Sequence, residues 1–313
     1  MEFGYKNSGG KTIEISGNEK IEAAIGVALM VSNKLNAIVL DNKIWAKSVN
    51  NAAAVNGIQI VSCNNATKLE LNLNIIKYSL NNNFPNNSYY GIRVNGCNRI
   101  KVLNNNVETG QYLNLNTNGI RLSQTTNAIV KDNTVYGTGV PKENTSGIYV
   151  TSSSNWQICY NHLSKIRKGV EFYSASPSPK RFSHNDMTDH TVGLELDPSS
   201  VIGVQYSLTN PFAGGSVLKY TMGNQWVSGL TVGARFLTEN QQQVDDSFFG
   251  VNQNSQPDRP DVIECKFKWF GGGYTEFYPC NDLFMNGKWK ENYSEILLGI
   301  NWHCRIIRLR AGG

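Results

Sequence analysis

Along the middle of the chain, apolar and polar residues alternate in short runs, and the runs recur. The phrase glycine, apolar, polar, apolar appears as Gly57-Ile58-Gln59-Ile60, Gly91-Ile92-Arg93-Val94, Gly119-Ile120-Arg121-Leu122, Gly147-Ile148-Tyr149-Val150, Gly169-Val170-Glu171-Phe172 and Gly193-Leu194-Glu195-Leu196. A second phrase follows it, in which asparagines frame apolar residues: residues 98–107, then Asn127-Ala128-Ile129-Val130-Lys131-Asp132-Asn133-Thr134-Val135, then Asn155-Trp156-Gln157-Ile158-Cys159-Tyr160-Asn161-His162-Leu163. A period of two marks strands, and the Asn and Gly between the runs mark corners that need left-handed backbone.

The recurring glycines are 34, 28, 28, 22 and 24 residues apart, which brackets one turn of a parallel β-solenoid with loops of variable length. An antiparallel sandwich would repeat its strands about every 8–12 residues and would have no reason to match its corner asparagines. One coil cannot bury its own apolar row, so coils must stack. Asn105, Asn133 and Asn161 then lie above one another and bond in a ladder. The fold class expected is all-β, a right-handed parallel β-helix with an N-terminal cap and an irregular β-rich C-terminal region.

Residues 1–50 read as a cap or as first irregular coils, with strand-like pieces at 12–15 and 37–40. The apolar segment 21–31 is either a short capping helix or a further coil, and a cap is expected because an open solenoid end exposes strand edges. Residues 51–240 form the β-helix, fading beyond 205 into Gly223-Asn224-Gln225-Trp226 and Gly233-Ala234-Arg235-Phe236. The polar stretch 241–261, with Pro257 and Pro260, reads as a loop or linker. Residues 262–313 read as a β-rich cap or small unit.

Composition narrows the function only a little. The net charge of +5 is spread along the chain, which suits a weakly basic surface facing an acidic polymer as well as a protein without one. No apolar run is long enough to span a bilayer. Six cysteines show no CxxC pair and no zinc spacing, so no metal is expected through sulfur. Nothing resembles a phosphate loop, a serine-hydrolase elbow or a nucleic-acid module. Residues 1–11 lack the order of a signal peptide, as in a fragment of a longer chain with flanking domains. The low cysteine and high Asn, Ser, Thr and Gly content fits an extracellular or cell-surface bacterial protein.

The phrase Gly-Ile-x-Val followed by Asn, Ile, Asn and an apolar residue resembles the pectate-lyase-like superfamily of right-handed β-helices. It is closer still to secreted Asn-rich β-helix repeat proteins of the Bacteroidetes type, in which a Gly-Asn-x-Trp segment such as residues 223–226 follows the coils. The resemblance covers roughly residues 51–230. It implies a fold shared by lyases, hydrolases, epimerases, phage tailspikes and non-catalytic proteins. The lyases' calcium-binding Asp is not matched: the corresponding positions hold Asn56, Tyr90, Asn118, Ser146, Lys168 and Val192, and Ile158 is followed by Cys159 and Tyr160. Calcium is thus not indicated by motif, and no other cofactor is expected. The Arg-x-Pro segment is missing, and Arg99-Ile100-Lys101 matches a polygalacturonase motif without its companions.

Alternation places Ile58, Ile92, Ile120, Ile148, Val170 and Leu194 inside, and Gln59, Arg93, Arg121, Tyr149, Glu171 and Glu195 outside in one column. A second outer column holds Val61, Asn95, Ser123, Thr151, Tyr173 and Asp197. Glu171 and Glu195 should face each other at roughly the 5 Å of a retaining glycosidase pair, with Asp197 beside them and one carboxyl raised in pKa by the other. Arg93 and Arg121 would hold a carboxylated or sulfated sugar, and Tyr149 and Tyr173 would stack on sugar rings. A further cluster, Lys180 to His190, brings two His and two Asp into one coil as a cation site or general base. Two functions follow. One is an extracellular solenoid module that binds polysaccharide or acts as a spacer. The other is a polysaccharide-degrading enzyme, glycoside hydrolase or lyase, or a tailspike-like depolymerase, using Glu171, Glu195 and Asp197.

Overall fold

The computed structural model describes residues 12–23, 26–47, 54–79, 88–109, 116–138, 144–174, 181–209, 218–221, 224–226, 232–237, 243, 247–251, 268–271 and 276–277. The chain winds as a parallel solenoid with three sheets running its length. Sheet I has seven strands, from Thr12–Ser16 to Arg181–Ser183; sheet II has eight, from Ile21–Ala23 to Gln225–Trp226; sheet III has eight, from Val27–Ser32 to Val232–Phe236. One coil shows the plan: Ile100–Leu103 lies in sheet I, Asn106–Thr109 in sheet II and Thr117–Ser123 in sheet III. Each strand pairs in parallel with its counterparts one coil away.

The segment before residue 50 follows the same plan. Thr12–Ser16, Asn36–Leu40 and Lys68–Asn72 are parallel neighbours in sheet I, and the apolar stretch 21–31 yields the strands Ile21–Ala23 and Val27–Ser32. At the other end, Gly203–Thr209, Leu218–Thr221, Ser247–Val251, Lys268–Gly271 and Glu276–Phe277 form a five-stranded mixed sheet. Ser247–Val251 is therefore a strand inside the stretch read as a loop, and most of 262–313 lies outside the described residues. No helix among the described residues is long and apolar enough to cross a membrane.

The interior is a continuous apolar column. Ile58, Ile92, Ile120, Ile148, Val170 and Leu194 are all buried, as alternation requires. Within the later coils Trp156 stacks on Phe172 at a centroid distance of 4.6 Å, and Phe182 meets Phe172 edge to face at 6.4 Å.

The corner between sheets I and II carries the predicted ladder, and it runs further than the three residues foreseen. Asn18, Asn42, Asn74, Asn105, Asn133, Asn161, Asn185 and Asn224 stack, each donating a side-chain amide hydrogen to the Oδ1 of the next at 2.7–3.0 Å. The same Oδ1 accepts the backbone N–H of the preceding Asn at 2.9–3.3 Å. Each amide from Asn42 onward also donates to a sheet I carbonyl of the coil before, as Asn133 does to Val102 at 2.9 Å. Gly17, Asp41, Leu73, Asn104, Asp132, Tyr160 and His184, each immediately before one of these asparagines, have positive φ.

Glycine plays a different part from the one expected. The repeated Gly is not at a corner and has no positive φ; it sits inside the sheet III strand, at a kink that every coil repeats in register, with no residue inserted. The register pairs Asn56 with Tyr90 and Ile58 with Ile92, passing over Gly57 and Gly91. A Cβ on Gly119 would lie 2.2 Å from Val135 and 2.8 Å from the Gly147 carbonyl oxygen, so only glycine lets the coils stack this closely.

Removing one rung leaves several buried groups unpaired. Asn133→Ala is expected to lower unfolding stability by about 3–5 kcal/mol, since each orphaned group costs about 1–3 kcal/mol. The exposed Asn106→Ala should change it by less than about 0.5 kcal/mol; urea denaturation of both variants compares them.

Candidate functional site

The kink at each glycine reshapes the outer face of sheet III. It resets the alternation, so the residue before each glycine joins the same side as the residue after each isoleucine. Two columns that strict alternation keeps apart are therefore neighbours. The first holds Asn56, Tyr90, Asn118, Ser146 and Lys168 in register. The second holds Met30, Gln59, Arg93, Arg121, Tyr149, Glu171, Glu195 and Arg235.

Glu171 and Glu195 are register partners, as the sequence predicts, but they do not face each other as bare like charges. The Lys168 ammonium lies between them, 2.8 Å from Glu171 Oε1 and 2.6 Å from Glu195 Oε1. Arg235 closes the far side, with Nε 2.7 Å from Glu195 Oε2, and Ser146 Oγ donates to Glu171 Oε2. Glu195 is fully buried. Burial opposes the charge on Lys168, yet the two carboxylates outweigh it and hold its pKa above the usual lysine value.

Asp197 is adjacent in sequence but committed elsewhere. Its carboxylate accepts the Ser174 N–H at 2.7 Å, the Ser199 N–H at 3.1 Å and the Ser200 hydroxyl at 2.6 Å, which fixes the turn after Val192–Leu196. Its place in the second outer column is thus a corner, not an open strand position. Three carboxylates are brought together in sequence and register, and their oxygens are taken up by neighbours on all sides.

The other half of the face is arranged differently. Arg121 lies over Tyr90 and over Tyr149, with its Cζ 5.1 and 5.0 Å from the ring centroids, and donates to the Tyr90 hydroxyl at 3.1 Å. Arg93 covers Tyr90 at 5.2 Å. Neither arginine has a carboxylate partner among the described residues, and the Nε of each is buried without a hydrogen-bond acceptor. Tyr149 and Tyr173 stack with centroids 6.2 Å apart, Tyr173 being 47% exposed. Burial, then the charge of Glu171, pushes the Tyr149 phenol up to about 12. The four predicted ligand-binding residues therefore form one contiguous strip.

Lys168, Arg235, Ser146 and Tyr90 were not among the predicted site residues. Arg235 had a signal, since Gly233-Ala234-Arg235-Phe236 repeats the strand phrase with alanine for isoleucine. The other three precede the glycine, and only the kink there turns them to this face.

The His and Asp cluster separates. His184 stacks on Tyr160 at 4.5 Å, Asp186 pairs with His162 at 2.7 Å, and His190 is buried against the Leu163 and Ile166 carbonyls; Lys180 lies outside the described residues. No group of three His, Cys, Asp or Glu side chains converges among the described residues as a metal site would require. Arg99, of the Arg-Ile-Lys motif, has positive φ, and Ile100 is core.

Two predictions follow from these contacts. Lys168→Met should cost about 3 kcal/mol at neutral pH, read by urea unfolding, because it leaves a buried carboxylate uncompensated. Burial, with Arg181 nearby, pushes His184 down to about 4, and burial lowers His190 as well. The unfolded chain then binds more protons below about pH 6.5, so stability is full above that pH and falls towards pH 4. His184→Phe keeps the stacking and should flatten part of that slope.

Residues 56–207 match a family model described as right handed beta helix region. No curated protein and no solved structure matches the chain.

Proposed function

We propose that this right-handed parallel β-helix repeat protein is a non-catalytic module that binds an acidic polysaccharide along the outer face of sheet III. The observation that carries the reading is the contrast between the two halves of that face. In one half the charges are mutually neutralised: Glu171, Glu195, Lys168 and Arg235 bind one another. In the other, Arg93 and Arg121 have no carboxylate partner among the described residues and pack against Tyr90.

A polyanion supplies what that half lacks. Arginines one strand apart, roughly 4.8 Å, suit the oxygens of a carboxylate or sulfate group. The adjoining Tyr149 and Tyr173 rings offer an apolar platform for the neighbouring sugar. A solenoid repeats such positions along a straight axis, which matches an extended chain better than a compact ligand. An extracellular or cell-surface setting goes with this reading. The enzyme reading needs a carboxyl group free to donate or accept a proton, and the ion pairs of Glu195 and the turn contacts of Asp197 count against it.

The test is binding to polygalacturonate and to a sulfated glycan, with neutral dextran as control, by calorimetry. Acidic chains should bind, and affinity should fall with salt. Arg93→Ala and Arg121→Ala should each lose about tenfold or more, consistent with about 1.5–3 kcal/mol for a charged hydrogen bond. Equal affinity for dextran, or undiminished binding in the double arginine variant, would overturn the reading. Release of reducing ends or new double bonds, lost in Glu171→Gln/Glu195→Gln, would establish the enzyme instead.

A further inference from the structure

Cys63 and Cys97 occupy the corner at the end of two successive sheet III strands and are Cα partners in register. Both are buried, each 1% exposed, and both are reduced. Partners in adjacent parallel strands are separated by roughly 4.8 Å, within the Cα separation of roughly 4.4–6.8 Å that a disulfide bridges. Each cysteine follows a residue of positive φ, Ser62 at 56° and Gly96 at 60°. The two side chains therefore leave the backbone in the same sense, one above the other.

This corner is a second ladder. Residues 98, 126 and 154 are bridged coil to coil, which puts Thr125 and Ser153 in the same column as the cysteines. There Thr125 donates its N–H and its hydroxyl to Ser153 Oγ, both at 3.0 Å. Cys63 Sγ likewise accepts the Lys34 N–H at 3.5 Å. Each thiol donates to a carbonyl of its own strand, Cys63 to Val61 and Cys97 to Asn95, both at 3.4 Å, and the interaction between the two thiols draws the Cys63 pKa down to about 6 while it raises that of Cys97. The cysteines thus do the work of hydroxyl side chains, with one property that hydroxyls lack.

We propose that Cys63 and Cys97 are a disulfide site that staples one coil to the next, closed by exchange with a small disulfide of the glutathione class. The Cys63 thiolate attacks one sulfur of that disulfide, forming a mixed disulfide and releasing one thiolate. Cys97, losing its proton to solvent, attacks the Cys63 sulfur and releases the second. Two protein thiols become one S–S bond, and the two electrons leave with the reduced small molecule. Burial means that exchange in the folded protein waits on opening of the corner, and proceeds readily while the chain folds. This site is independent of the polysaccharide reading.

The test treats the full chain with oxidised glutathione, both folded and during refolding, then alkylates under denaturing conditions and maps the peptides. The expected result is a Cys63–Cys97 linked peptide, two fewer alkylated thiols, and a thermal midpoint raised by roughly 5 °C. Cys63→Ser and Cys97→Ser should fold, since Thr125 and Ser153 fill the equivalent places, and should show no such rise. Two thiols that stay alkylatable after refolding, a link from Cys63 to another cysteine, or the same rise in both serine variants would each overturn the proposal.

Discussion

A solenoid turns its corners over a buried core, and a corner brings backbone N–H and C=O groups into that interior where no strand partner is waiting. Water cannot reach them, so side chains must. In this protein the stacked asparagines supply those bonds from Asn18 to Asn224, those between the two ends giving amide hydrogens and accepting through the oxygen. Because each rung bonds to the next, the ladder also holds the coils in register. A shift of one residue in any coil would break a rung and turn an apolar side chain outward.

Everything on the outer face depends on that register. It places Arg93 beside Arg121, Tyr149 beside Glu171 and Glu195 beside Arg235. The kink at the glycine then adds the column that strict alternation would have buried. Lys168 reaches the two glutamates from that column and Tyr90 reaches the two arginines, so one device makes one half of the face self-neutralised and leaves the other half with arginines that have no carboxylate partner among the described residues. The Cys63 corner obeys the same rule as the asparagine corner: a residue of positive φ, then a side chain bonded to the neighbouring coil.

The Gly-Asn-Gln-Trp segment shows how a sequence phrase acquires a physical meaning. As a string it only marked the end of the coils. In the fold, Asn224 is the last rung of the ladder, and Trp226 pairs with Met187 and packs over Gly193.

By itself the sequence determined the solenoid, its core positions and the identity of its corner residues, because period-two alternation and a recurring Asn are local patterns with one consistent packing. It also placed Arg93, Arg121, Tyr149 and Tyr173 in one strip and Glu171 opposite Glu195, since register follows from the repeat. Only the tertiary structure decided what those residues are free to do. Whether a carboxylate is bare or neutralised depends on side chains that the fold aims at it, and Lys168, Arg235 and the serines around Asp197 lie 2 to 40 residues from the groups they engage. The kink that aims Lys168 at them is a backbone event set by close coil packing, which no alternation of residue types encodes.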